Sequence, residues 1–264
     1  LASYNGNPVV LLTIMALITI GGLGFFVWED ILRCGRDLRR LSLYSKMVLS
    51  FTAALILGGG LFFLLAEWDN PATLGDMPGW KRVLNAAFQA VTLRTAGFDT
   101  IGQGNLRDSS LAMSCILMLI GGSSGSTAGG LKTVTVGVLF LTLRAGLAGR
   151  EEVTLRGRSI SHRRVMNALT LTLIVAVIFL AGSMIISLVD DVPFLSAAFE
   201  SASAMATVGV TVGITPTLSL FSHVLLICMM FLGRVGIMSF SIAFLARSKY
   251  PAKIKYPTMD IMIG

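Results

Sequence analysis

Two stretches of this sequence, about half a chain apart, follow one pattern, and that repetition limits the possible folds more than any other feature. Thr95-Ala96-Gly97-Phe98 and Thr207-Val208-Gly209-Val210 both read Thr-apolar-Gly-apolar. Each follows an Ala-Ala-Phe segment, Ala86-Ala87-Phe88 in the first copy and Ala197-Ala198-Phe199 in the second. Each precedes a long apolar run with a glycine 24 positions after the loop glycine, Gly121 and Gly233. Recurrent spacing of this kind marks an internal repeat. One unit reads as long helix, short half-helix, Thr-x-Gly loop and long inner helix. That is the plan of a membrane pore in which re-entrant backbone offers carbonyl oxygens to a cation.

Composition places the repeat in a membrane. The chain is 54% hydrophobic and 13% charged, with a mean hydropathy of +0.79, whereas soluble domains are about 25% charged. Apolar runs of about 20 residues are long enough to span. They occur at Pro8–Val27, Met47–Ala66, Leu111–Leu143 (interrupted), Val165–Val189 and Ser222–Ala246. Val83–Val91 and Phe194–Ala206 are too short to span and are expected to re-enter.

The net charge of +7 is segregated. Arg33, Arg36, Arg39, Arg40 and Lys46 lie in one connection, Arg144 to Arg164 in another, and Arg247, Lys249, Lys253 and Lys255 in the tail. The alternate connections carry Glu67, Asp69, Asp76, Asp99, Asp108, Asp190 and Asp191. This is the positive-inside asymmetry, which assigns the basic segments and the C-terminus to the cytoplasm and leaves no case for a nucleic-acid partner. Cys34, Cys115 and Cys228 show neither metal-ligand nor disulfide spacing.

The expected fold class is therefore an all-α membrane protein of repeated helix–pore loop–helix units with a broken inner helix. Residues 1–27 are the inner helix of an incomplete repeat, and 28–46 a cytoplasmic linker in which Trp28–Lys46 reads as an amphipathic helix. Residues 47–143 form a full repeat, 144–164 a cytoplasmic linker, 165–246 a second full repeat, and 247–264 a cytoplasmic tail. Two full repeats do not enclose a pore, so further repeats are expected upstream of Leu1.

Irregular backbone survives at membrane depth only when buried in protein or lining water. Glycine permits the left-handed conformations that turn successive carbonyls to one side, and the C-terminal end of the half-helix before each loop favours a cation. The candidate cation filter is thus Thr95, Ala96, Gly97 and Phe98 with Thr207, Val208, Gly209 and Val210, the only metal being a monovalent cation at their carbonyls. A helix C-cap is the plainer reading of one such loop; the second copy argues for a filter.

Gly121-Gly122-Ser123-Ser124-Gly125-Ser126-Thr127-Ala128-Gly129-Gly130 is a run of small residues with low helix propensity inside the first inner helix. It resembles a phosphate loop, but Leu131 separates Gly130 from Lys132 and no soluble strand precedes it. It reads as a break below the filter, either a movable plug or a passive kink. Arg234 lies midway along Ser222–Ala246, too deep to reach water easily, which makes it a functional candidate. It either latches Gly121–Gly130 through the loop carbonyls or pairs with a buried acid such as Glu200. Lys132 is either a second latch or an inward-facing charge. Arg94 is expected behind the filter loop, bonding carbonyls or an acid. Asp99 and Asp108 either draw cations to the mouth or are surface charges, and His162 and His223 sit at helix starts. No paired carboxylates, HExxH or Ser/His pair lies at membrane depth, so an intramembrane enzyme is excluded. A broken-helix transporter with alternating access remains the rival.

Together, Arg94–Phe98, Gly121–Thr133, Leu232-Gly233-Arg234-Val235-Gly236 and the ending Met262-Ile263-Gly264 resemble the Ktr/Trk/HKT superfamily of potassium transporters, most closely its Ktr-type membrane subunits. The resemblance covers the whole chain as the C-terminal part of such a protein. It implies potassium uptake across the bacterial plasma membrane by a multi-pass protein with four repeats, Gly97 and Gly209 being filter glycines of the third and fourth. It implies that Gly121–Gly130 with Lys132 is an intramembrane gating loop and Arg234 its partner. It also implies a homodimer in membrane lipid on a cytoplasmic ring of KtrA-type nucleotide-binding subunits, with sodium-dependent uptake or Na⁺/K⁺ permeability in some relatives. No organic cofactor is expected on this chain.

Overall fold

The computed structural model describes residues 1–35, 37–150, 152–155 and 157–235. The expected tail 247–264, the end of the last inner helix and the Met262-Ile263-Gly264 ending lie outside them.

The described chain is helical apart from one small antiparallel hairpin, β1 (Thr154–Leu155) with β2 (Arg158–Ser159), in a basic connection. α1 (Pro8–Leu23) begins at a proline in the first turn, where a missing N–H costs nothing, and the Asn7 side chain caps it by accepting from the Val9 and Val10 amides. α2 (Phe25–Cys34) follows at 96° to α1. The first repeat then runs through α3 (Leu43–Ala66), α4 (Gly79–Thr92), α5 (Asp108–Leu119) and α6 (Thr133–Leu147). The second runs through α7 (His162–Asp190), α8 (Phe194–Met205) and α9 (Leu220–Val235).

Two expectations about helix boundaries are corrected. The first inner helix stops at Leu23 rather than Val27, because Gly24 adopts φ +79° and turns the chain. The linker is not one amphipathic helix over Trp28–Lys46. α2 ends at Gly35, φ +56°, a short 3₁₀ turn occupies Leu38–Arg40, and Ser42 caps the start of α3 by accepting from the Ser45 amide.

Of the five apolar runs, α3 and α7 form single helices of 24 and 29 residues, long enough to span. Only 22% of the most apolar window of each is buried, and Leu57, Leu61, Leu173 and Leu188 are largely exposed. An apolar helix that exposes leucine on its outer face is solvated by lipid. The short helices behave oppositely. In α4 the stretch Asn85–Thr92 is buried except at Ala87, and in α8 every residue from Ala197 to Met205 is buried. Phe88 and Phe199, the aromatic ends of the two Ala-Ala-Phe segments, are both fully buried. A helix enclosed all round sits in the interior of a bundle, and the small alanines before each phenylalanine let neighbouring backbones approach.

α4 is held by α3 and α1, and α8 by α7, α5 and α9. In the Gly58-Gly59-Gly60 stripe, Gly59 faces Ala90 and Leu117 and Gly60 faces the Ala87 backbone, while Gly58 meets nothing. One continuous core runs from Phe63 and Leu74 through Leu93, Leu117 and Met118 to Phe199 and Ala206, joining the two repeats around the short helices.

Candidate ion-conduction site

Each short helix delivers the chain into its Thr-x-Gly loop with the same backbone turn. Thr95 has φ +67° and Thr207 φ +55°, followed two residues later by Gly97 at +79° and Gly209 at +92°. Positive φ at a β-branched residue is an outlier that the surrounding structure has to enforce. It recurs at equivalent threonines in both loops. In an extended strand carbonyls alternate sides; left-handed residues at every second position bring them toward one side.

A hydroxyl from the end of each short helix clips the loop. Thr92 Oγ1 donates to the Phe98 carbonyl at 2.7 Å and accepts from the Phe98 amide at 2.9 Å. Ser203 Oγ donates to the Val210 carbonyl at 2.6 Å and accepts from the Gly209 amide at 3.2 Å. The carbonyls of Phe98 and Val210 are therefore engaged from behind. Among the described residues, no donor reaches the carbonyls of Thr95, Ala96, Gly97, Thr207, Val208 or Gly209. The loops touch: a Cβ on Gly97 would overlap the Val208 carbonyl oxygen, whereas one on Gly209 would meet nothing within 4 Å.

Against the second of these loops lies Gly121–Gly130. α5 ends at Leu119, and the chain closes on itself through Gly121 N–H to Leu131 O at 2.9 Å, Leu131 N–H to Leu119 O at 3.0 Å and Thr133 N–H to Gly122 O at 3.0 Å. Gly121 and Gly129 are in backbone contact, where a Cβ would not fit. A Cβ on Gly129 would also stand 2.7 Å from the Ala206 carbonyl and against the Thr207 hydroxyl, which puts the loop in contact with the second Thr-x-Gly segment. The α1–α2 bend holds the other side. Ser123 N–H donates to Gly22 O at 2.9 Å, Ser123 Oγ donates to Leu23 O, and Phe25 N–H donates to Gly125 O at 3.2 Å. Tyr44 Oη donates to Ser124 O at 3.4 Å.

Basic side chains hold both ends of this loop. Arg234 Nη1 donates to the Thr127 carbonyl at 2.5 Å, and Lys132 Nζ to the Ala128 carbonyl at 2.6 Å. Arg94, 7% exposed, donates through Nη2 to Gly121 O and Thr133 Oγ1, both at 3.3 Å. Arg234 does not pair with Glu200. That carboxylate accepts instead from Thr211 Oγ1 at 2.5 Å, the Val212 amide at 3.0 Å and Thr215 Oγ1 at 2.8 Å. Asp99 is not free at a mouth: it accepts from the Ile101 and Gly102 amides and from Gln103. Asp108 is exposed in the first turn of α5, His162 opens α7, and His223 lies in the first turn of α9. A cavity of about 410 Å³ adjoins the loop, lined by Ser124, Gly130, Lys132, Arg164, Met205 and Gly233 among others.

Sequence reasoning did not find the Thr92 and Ser203 clips, nor Tyr44. A hydroxyl residue in the last turn of each half-helix, six residues before Phe98 and seven before Val210, was the available signal. Glu200, a carboxylate inside an apolar segment, was named only as one of two alternatives for Arg234, and its own partners Thr211, Val212 and Thr215 were not found.

The fold and these loops define a helical membrane protein of tandem re-entrant units. The chain belongs to the TrkH family of cation transport proteins, whose family model matches residues 1–252. It is 40% identical over 263 residues to the potassium/sodium uptake protein NtpJ of Enterococcus hirae, covering 98% of this chain and 58% of that protein. It is 34% identical over 264 residues to Ktr system potassium uptake protein B of Bacillus subtilis, covering 100% of this chain and 59% of that protein. The chain thus spans less than two thirds of the length of these relatives. The crystal structure of the potassium transporter TrkH from Vibrio parahaemolyticus shares the fold, with a TM-score of 0.72 at 21% identity over 90% of this chain and 52% of that one.

Proposed function

We propose that this chain forms two quarters of a potassium-uptake pathway in the plasma membrane, with Thr95–Phe98 and Thr207–Val210 as filter segments and Gly121–Gly130 as the gate beneath them. The observation that carries this reading is the set of carbonyl oxygens, from Thr95 to Gly97 and Thr207 to Gly209, that no donor among the described residues satisfies. Main-chain oxygens gathered at two facing loops and left free of internal donors can take the place of a cation's hydration shell. The gate is closed as Arg234 and Lys132 hold it, and the adjoining cavity gives the loop somewhere to move.

In this reading 47–143 and 165–246 are the third and fourth repeats, 1–27 ends the second, and the basic connections and the C-terminus are cytoplasmic. The relatives named as parts of a Ktr system support a companion subunit, which we assign to a cytoplasmic nucleotide-binding ring beneath a homodimer. A sodium-permeable form of the same pathway is the second reading, favoured by the name of the Enterococcus hirae relative, a potassium/sodium uptake protein. The deciding experiment measures K⁺ and Na⁺ uptake by the full-length protein in transport-deficient cells, with and without Gly209→Ser. Weakened preference for K⁺ supports the filter; unaltered selectivity counts against it.

A further inference from the structure

Behind each filter segment stands a second polar assembly, and the two are built to one plan with the charge moved. In the first repeat Gln89, fully buried in α4, donates to Gln103 Oε1 at 2.6 Å, and Gln103 Nε2 donates back to Gln89 Oε1 at 3.1 Å and to Asp99 Oδ1 at 2.8 Å. Asp99 also accepts from the amides of Ile101 at 3.1 Å and Gly102 at 3.0 Å. In the second repeat Glu200 of α8, 5% exposed, accepts from Thr211, Val212 and Thr215, and Thr215 Oγ1 lies 2.8 Å from Thr211 Oγ1.

The members correspond one to one. Gln89 and Glu200 each directly follow the phenylalanine of the Ala-Ala-Phe segment. Asp99 and Thr211 each stand two residues after the loop glycine. Gln103 and Thr215 each open a three-residue 3₁₀ turn. Each set holds a single carboxylate: on the loop in the first repeat, on the helix in the second. Among the described residues neither carboxylate has a basic side chain within ion-pair distance. Their charge is met by hydroxyl, amide and backbone N–H donors, a form of stabilisation that demands fixed geometry.

We propose that these triads, Gln89–Asp99–Gln103 and Glu200–Thr211–Thr215, are positioning residues that set the width of the cation filter and thereby its preference for K⁺ over Na⁺. The proposal rests on the filter reading above. Each triad ties the outer exit of its loop to the helix that feeds the loop, while the Thr92 and Ser203 clips hold the loop's last carbonyl. Loss of one member frees the exit, lets the carbonyls close around a smaller ion and erodes discrimination. Because the carboxylate sits at different corners in the two repeats, what the site requires is one negative acceptor per triad, at either corner.

That exchangeability supplies the test. K⁺ and Na⁺ uptake kinetics are measured for the full-length protein in transport-deficient cells, with membrane abundance quantified, for four forms: wild type, Glu200→Gln, the triple variant Glu200→Gln/Thr211→Asp/Thr215→Gln, and Gly209→Ser. Glu200→Gln keeps the side-chain volume but leaves three donors sharing one neutral acceptor. Its ratio of Na⁺ to K⁺ KM values should fall about tenfold, as expected for the loss of a charge-assisted hydrogen bond. The triple variant transplants the first repeat's triad into the second and should return the ratio to within about threefold of wild type, by the same reckoning. An unchanged ratio in Glu200→Gln overturns the proposal, as does a triple variant that reaches the membrane yet is no more selective than Glu200→Gln. Should Glu200→Gln not accumulate, Asp99→Asn in the other triad carries the same expectation and the same refutation. Gly209→Ser separates the two ideas: if it shifts selectivity while the triad variants do not, the filter stands and the braces fall, and if it shifts nothing, the filter reading fails first.

Discussion

Gly97 lies against the carbonyl oxygen of Val208, so closely that no Cβ would fit between them, although 111 residues separate the two in the chain. The contact shows that the two Thr-x-Gly loops face one another. It also distinguishes two glycines that look alike in sequence. Gly97→Ala adds a positive-φ penalty and a collision with backbone, and should lower stability by about 2–4 kcal/mol. Gly209→Ala meets open space and should cost only about 1 kcal/mol from its positive φ. Thermal unfolding of the purified protein, followed by size-exclusion chromatography, checks the order; equal losses would mean that the loops do not touch in solution.

The gate prediction turns on Arg234. Its guanidinium and the Lys132 ammonium grip consecutive carbonyls, Thr127 and Ala128. Arg234→Ala removes a charge-assisted hydrogen bond of about 1.5–3 kcal/mol and should raise K⁺ flux roughly tenfold by the same arithmetic. Removal of Ser123–Gly130 should raise it at least as much. Flux equal to wild type in both, at matched abundance, would leave the loop a passive kink.

Glu67, at the end of α3, makes the outer loop sensitive to acid. Burial alone would raise its carboxyl, but the neighbouring Ser110, the Asn70 amide at 2.6 Å, the Thr73 hydroxyl at 2.8 Å and the Arg107 N–H at 3.0 Å outweigh this and hold it below its ordinary value. A carboxylate held lower in the folded state adds stability above its unfolded pKa, and that stability is lost as pH falls through the folded one. Glu67→Gln should therefore melt below wild type at neutral pH, and the gap should close progressively below the usual carboxylate range. A gap of constant size from pH 7 to pH 3 would show that the charge contributes nothing.

Gly24 makes the bend between α1 and α2. Its φ is +79°, and a Cβ there would stand 2.7 Å from Ser124 O and 2.8 Å from Ser123 Oγ of the Gly121–Gly130 loop. Gly24→Ala should destabilise by about 2–3 kcal/mol and loosen the loop, read as faster proteolysis or hydrogen exchange over Gly121–Gly130. Unchanged exchange there would mean that the bend does not support the loop.

Much of this architecture was legible in the residues. The Ala-Ala-Phe and Thr-x-Gly pairs, the glycine spacing and the apolar run lengths located α3, α4, α7, α8 and both loops, because helix length and burial follow from local pattern and short-range backbone preference. The small-residue stretch Gly121–Gly130 also announced its own break in the helix. What the residues could not show was partnership. Two partners stood open for Arg234, the carbonyls of Gly121–Gly130 and Glu200; the fold gives it the Thr127 carbonyl, 107 residues away, and turns Glu200 to Thr211, Val212 and Thr215. The 96° turn at Gly24 and the positive φ of Thr95 and Thr207 were likewise hidden. A glycine permits a bend without requiring one, and a threonine opposes the conformation it is made to adopt. Such features arise only when distant segments meet and the free energy of the assembled core overrides what each residue prefers alone.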